Sequence, residues 1–190
     1  MATISMYDPS MLVWLDESGH DRRHTIRKQA YSFRGMPLAD HRILARGVRY
    51  SAIPIMSLEG IHDVFITEGT VDGDKFVQFI TEYLLPILMP FNCINPKSVV
   101  IMDNASIHHV DEVTDLIERQ CGAKLCFLPP YSLDLMPAEG VFSQVKSIMK
   151  ENHKLFQVCT APRALALIAM AFGMVSVENC CGHISRCGYV

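Results

Sequence analysis

The order of apolar runs predicts an α/β domain, a mixed sheet of about five strands flanked by helices. Three observations carry that expectation. Short runs of strand-forming residues come first, MLVWLD at 11 to 16, VRYSAIPIMSL at 48 to 58 and Ile61 to Thr67. Segments of helical period then alternate with two more runs, SVVIM at 98 to 102 and AKLCFL at 123 to 128. Val99 to Met102 is apolar without alternation, the pattern of a strand buried on both faces. Strands that give way to alternating helices and strands imply a sheet covered by helices, and ligands gather at strand ends in such sheets.

With 190 residues, 49% of them hydrophobic, the chain can bury one substantial core and hardly two. A formal charge of -3 gives no global signature of nucleic-acid binding, but the distribution is uneven. Arg22, Arg23, Arg27, Lys28, Arg34, Arg42, Arg46 and Arg49 share one segment with a single acid, Asp40. That segment is a phosphate-facing surface or a solvated face, and composition alone does not choose. Seven cysteines without a CxxC pair fit thiols used as small core residues in a reducing compartment. Cys180, Cys181, His183 and Cys187 lack the usual spacing of zinc ligand pairs. The start of the chain shows no signal-peptide pattern, so the protein is expected not to be secreted. Ala164 to Val177 is shorter than the roughly 20 residues a bilayer requires, so no membrane association is expected.

Met11 to Asp16 reads as a central strand delivering Asp16 at its end. Glu17 follows, and a period of two sends its side chain to the other face, so Asp16 is taken as the candidate. Residues 20 to 46 read as a polar inserted connection with a turn around Gly35. The runs at 48 to 58 and 61 to 67 form an antiparallel hairpin in which Pro54 marks a bulge or an edge. Asp72 to Asp74 caps a helix with Phe76, Phe79, Ile80, Leu84 and Ile87 on one face, shortened or bent by Pro86. The buried strand at 98 to 102 delivers Asp103, with His108 and His109 close behind. Asp111 to Gln120 is a helix with Val113, Leu116 and Ile117 inward, closed by Gly122. After the strand at 123 to 128, Pro129 and Pro130 exclude helix, whereas Pro137 has the fixed φ of a first helical turn. Glu139 then falls near a positive helix end, ahead of Val141, Phe142, Val145, Ile148 and Met149 at helical spacing. A last helix covers Pro162 to Val177, and the tail CGHISRCGYV has no clear period.

Each acid has an ordinary reading by itself. Asp16, Asp103 and the nearby Asp134 suit turns, and Glu139 suits a helix start. Convergence changes the chemistry, because three carboxylates in one place repel unless cations neutralise them. Oxygen-only ligands favour Mg²⁺ or Mn²⁺, and two such ions roughly 3.5 to 4 Å apart serve in-line phosphoryl displacement. The expected chemistry is cleavage of a phosphodiester.

VWLDESG at 13 to 19, VVIMDNASIHH at 99 to 109 and FLPPYSLDLMPAEGVFSQVK at 127 to 146 resemble the three signature blocks of DDE-type transposases of the mariner superfamily. The resemblance implies a ribonuclease H-like domain over residues 11 to 152, after a tail at 1 to 10 and with 153 to 190 packing on the same domain. It implies metal-dependent DNA strand cleavage and transfer, two bound Mg²⁺ or Mn²⁺ ions, and Asp16, Asp103 and Glu139 as catalytic and metal-binding acids. DNA, as transposon ends or target, would be the partner, contacted by His108, Arg22, Arg23, Arg27, Lys28 and Arg34. A homodimer would be the working form, in the nucleus of a eukaryote or otherwise in the cytoplasm. The family block usually reads PPYSPDLNPIE, and this chain departs from it at Leu133, Met136 and Ala138, in the turn that leads to Glu139. The helix-turn-helix region such transposases carry is also missing from the sequence, so a fragment, a separated catalytic domain or a domesticated copy is expected. The competing expectations are a non-catalytic nucleic-acid or protein interaction module of the same ancestry, and a nuclease acting on RNA in hybrids.

Overall fold

The computed structural model describes residues 4–21, 33–36, 48–103, 111–130, 132–152, 155 and 160–190. Six strands make one mixed sheet: β1 Leu12–Leu15, β2 Ser18–His20, β3 Tyr50–Ser57, β4 Gly60–Glu68, β5 Val99–Met102 and β6 Lys124–Phe127. They occupy five positions. β4 runs along one side of β3, while β1 and β2 share the other side in a single register, Trp14 opposite Met56 and Ser18 opposite Ala52. β5 lies parallel to β1, and β6 parallel to β5.

β2 falls where the first strand run is expected to have ended, at Ser18-Gly19, and reaches the first residue of the expected polar connection, His20. Ser-Gly-His has no strand composition of its own, and the extended form is imposed by pairing with β3. The hairpin is as expected, but the register shift falls between Ile55 and Met56, one residue after Pro54, and β3 is interior rather than an edge. Gly60, at φ +108°, closes the turn between β3 and β4 in a conformation that disfavours other residues.

Two layers of apolar side chains flank the sheet. Leu12, Trp14, Val99 and Ile101 point to a first face, covered by α3 (Pro137–Glu151), α4 (Ala161–Gly173) and α5 (Val177–Arg186). Val13, Leu15, Val100 and Met102 point to the second, covered by α1 (Gly73–Phe79) and α2 (Asp111–Thr114) with their continuations. Asp72 caps α1, accepting from the Lys75 amide at 2.9 Å, and the widened turns that follow end at Leu84, before Pro86. α2 continues to Gln120, with Val113, Leu116 and Ile117 buried as the spacing predicts.

The C-terminal segment differs from expectation. α4 stops at Gly173, and a further helix, α5, begins at Val177 and runs into the tail from 181 that reads as aperiodic; it is opened by a reciprocal box in which the Ser176 side chain accepts from the Asn179 amide and Asn179 Oδ1 from the Ser176 amide. Both helices bury apolar residues in the core of the first face, among them Ile168, Phe172, Cys180 and Ile184. Among the described residues no single helix is long and apolar enough to cross a membrane.

Candidate active site

The register of the sheet decides where the first two acids lie. Leu12 pairs with Val99 and Leu15 with Met102, so Asp16 and Asp103 are the next residues on two adjacent parallel strands. Neighbouring strands are roughly 4.8 Å apart. Alternation continued past Trp14 and Ile101 sends both carboxylates to the first face. An independent contact supports this phase: His20, four residues after Asp16, meets Phe172 of α4 edge-on, the ring centroids 5.8 Å apart.

Asp16 is nevertheless not at the end of an extended run. It and Glu17 form a two-residue interruption between β1 and β2, opposite Pro54 and Ile53 of β3 in the shared register. Pro54 brings no N–H to the ladder, and the interruption falls where that donor is missing. Asp16 is buried, and its Oδ1 accepts from the Glu17 amide at 2.8 Å, which orients the carboxylate along its own backbone. Asp103 is half-buried.

Glu139 comes from above the sheet. Pro137 opens α3, and Ala138, Val141, Phe142, Val145 and Met149 are buried against the first face, α3 packing directly on β1. Glu139 stays exposed in the first turn, near the positive end of the helix. Met136, where the family has Asn, occupies the position before α3 with no side-chain cap, and is itself buried.

Two of the acids thus follow adjoining strand positions, and the third opens the helix packed on the first face of the sheet. Among the described residues, however, no three His, Cys, Asp or Glu side chains are arranged so as to hold a metal ion. The paired aspartates do suit a hard oxygen-bound cation, since Mg²⁺ takes one or two carboxylates and completes its shell with water and substrate phosphate.

Of the basic residues expected to meet DNA, Arg34 is exposed in the turn at 33–36, while Arg22, Arg23, Arg27, Lys28 and also His108 lie outside the described residues. Arg49 does stand beside the site's strand. Its guanidinium packs on Gly19 of β2 so closely that a Cβ there would be 3.0 Å from Nη2. Cys180 is a core thiol, its pKa pushed by burial up to about 11, and the Cys181 thiol faces the Leu58 carbonyl at 3.4 Å. Sequence reasoning missed the part of the C-terminal segment that touches the start of α3, Tyr189 and His183. The spacing of Ser176 and Asn179 was the one local signal that a helix begins there.

A family model described as DDE superfamily endonuclease matches residues 11–158. Among solved structures, a Mos1 strand transfer complex superposes with a TM-score of 0.66 at 19% identity, over 94% of this chain and 51% of that chain. A mariner Mos1 paired end complex with Mg gives 0.63 at 17% identity, over 93% and 53%. The catalytic domain of Mos1 mariner transposase gives 0.57 at 12% identity, over 93% and 76%. The common feature at these identities is the fold, which is ribonuclease H-like. The chain spans about half the length of the Mos1 chains in the two complexes. No curated protein sequence matches it.

Proposed function

The chain belongs to the DDE superfamily endonucleases, and from that premise we propose that it is a metal-dependent catalytic domain that cleaves and transfers DNA strands by transposase chemistry. Asp16, Asp103 and Glu139 are its acids. The observation that supports this reading most is the register that makes Asp16 and Asp103 neighbours on one face although 86 residues of chain separate them. Mos1 complexes containing Mg, Mn and a transposon end are among the similar structures, which makes Mg²⁺ or Mn²⁺ the natural cofactor and DNA the natural substrate.

In this reading Asp16 and Asp103 present carboxylate oxygens side by side from a rigid sheet. Glu139, favoured as an anion by the helix end, would supply a third from the start of α3. Bound divalent cations would offset the mutual repulsion of these groups and polarise a phosphodiester for in-line attack. The protein's own part would be to hold oxygen donors on a strand pair and a core-packed helix and to bring the DNA backbone over them.

The test is Mn²⁺ titration of the purified chain together with nicking of supercoiled plasmid. Binding and nicking that both vanish in Asp103→Ala are expected; a wild-type chain that does neither overturns the reading. A second reading, an interaction module without turnover, is favoured by the lack of a three-ligand arrangement among the described residues. DNA association that persists unchanged in Glu139→Ala, in a chain that never nicks, would select it.

A further inference from the structure

β4 closes one side of the sheet. Among the described residues it pairs only with β3, so the outer side of its nine residues, Gly60–Glu68, has no strand beside it. A bare edge of that length invites a further strand, and proteins blunt such edges with charges, bulges or a covering element. Here the blunting is slight. The register shift between Ile55 and Met56 lies toward one end of the hairpin, and the Val64 amide donates to the Asp63 carboxylate at 2.7 Å, a local acceptor that a strand carbonyl can replace.

An apolar groove follows the first half of that strand. Ile61, His62 and Val64 of β4 line it together with Ala169, Phe172 and Gly173 of α4, around a cavity of about 280 Å³. Small-molecule sites run to roughly 300–1,000 Å³, so this one suits a protein side chain or two. Beyond the groove α4 stays apolar on its outer face. Ala166, Met170 and Met174 are exposed, and no charged residue occurs between Arg163 and Glu178. A helix at a solvated surface ordinarily turns charged and polar residues outward, and this one has none to turn.

We propose that a second copy of this chain docks here, β4 pairing antiparallel with the β4 of the copy about a two-fold axis at Phe65. One sheet then runs through both molecules, and the uncharged faces of the two α4 helices come together. Charge selects the register. An axis perpendicular to the sheet keeps the α4 helices on one side and pairs residues of equal parity. Centred on Phe65, it sets His62 opposite Glu68, Asp63 opposite Thr67 and Val64 opposite Ile66, each pair twice. An axis one residue earlier sets Asp63 on Phe65, one residue later sets Val64 on Glu68, and one at Asp63 sets that acid on itself. The chosen register also conserves hydrogen bonds. The Val64 amide passes to the Ile66 carbonyl of the copy, and the Asp63 carboxylate it leaves accepts from the Thr67 hydroxyl. His62 Nε2 lies 2.7 Å from Ser57 Oγ, which leaves the other ring nitrogen for Glu68 of the copy. Ile66, half-buried on the first face, brings its side chain to the other molecule's groove beside Val64. The inference is independent of the metal chemistry proposed above.

Sedimentation equilibrium of the full chain, from low micromolar to several hundred micromolar, should show a monomer and dimer in exchange. Ala169→Glu places a carboxylate at the mouth of the groove, and Glu68→Arg sets a cation opposite His62; both positions are exposed, so the fold is kept. Each should weaken dimerisation about tenfold or more. Register is read by cross-linking. Directly opposite residues have Cα atoms roughly 4.5–5.5 Å apart, within reach of a disulfide. A mixture of Asp63→Cys and Thr67→Cys chains should therefore oxidise to mixed dimers, while neither variant alone cross-links above the level of the wild-type cysteines. A wild-type chain that stays at the monomer mass throughout overturns the inference. So does a dimer whose affinity neither substitution alters, or one that yields no mixed cross-link.

Discussion

Asp16 and Asp103 take their positions from the sheet, whereas Glu139 takes its position from helices packed on the sheet, and the two kinds of support fail differently. A parallel ladder with Leu12 on Val99 and Leu15 on Met102 fixes the aspartates by backbone hydrogen bonds and by side chains that are fully buried. Nothing short of disrupting the central strands separates them. The first turn of α3 has no strand ladder; it is held by the burial of Met136, Pro137 and Ala138, and residues 183 and 189 touch it from the C-terminal segment. Two acids are thus built into the core and the third is fastened to it.

Removing an acid of each kind is the strongest way to break this comparison. Asp16→Asn should abolish Mn²⁺ binding while leaving the unfolding temperature nearly unchanged, whereas Glu139→Gln should leave a weaker but measurable affinity, since a pair of carboxylates can still hold a hydrated ion. Equal losses in a titration of the two variants would show that the sheet-borne pair is not a site by itself.

Gly140→Ala probes the fastening. The His183 ring has to leave its seat, at the cost of the Gln144 hydrogen bond, so a loss of about 1–3 kcal/mol is expected, in the range of overpacked cores. In a thermal melt that is about 2–4 °C for each kcal/mol in a chain of this size. No shift would mean that α5 sits loosely on α3.

Ser176→Ala tests the same support from farther away. Loss of the cap at the start of α5 should cost about 1 kcal/mol, visible as a small fall in melting temperature. Because Asn179 also holds Gln144, the exchange protection of amides at the start of α3 should fall with it. Unchanged protection there would uncouple the two helices.

The smallest expected effect is on pH. His183 and His62 both have pKa values lowered from 6.5, in each case first by burial, then by Arg186 and Lys97 respectively. For a base with a depressed folded value, the unfolded chain binds more protons in the window between the two pKa values. The stabilisation is therefore complete above pH 6.5 and is lost as pH falls through the folded pKa. Denaturant midpoints should be lower at mildly acidic than at mildly basic pH, and His183→Asn should reduce the difference without removing the share due to His62. A midpoint that rises on acidification would contradict both assignments.

Much of this architecture is legible along the chain because its signals are local. The apolar run at 98 to 102, the hairpin, the Asp72 cap and the stripe following Pro137 all depend on residues a few positions apart, and each reappears in the structure. Two elements were illegible for the opposite reason. β2 consists of Ser, Gly and His, which become a strand only because β3 offers a partner. α5 contains Asn, Gly, His and two Cys, all modest or poor helix formers, and is stabilised by its cap and by Cys180 and Ile184 in the core.

The amino-acid sequence by itself determined which acids are available, that two follow apolar strands and that the third opens a helix behind a proline. Those facts need only the periods of strand and helix and the stereochemistry of proline. Tertiary structure alone decided that residues 16 and 103 follow adjoining strand positions, that a gap opposite Pro54 surrounds the first of them, and that residues 183 and 189 touch the start of the helix bearing the third. Pairing between distant strands and packing between distant helices are chosen by the free energy of the whole core, for which no local pattern is a substitute.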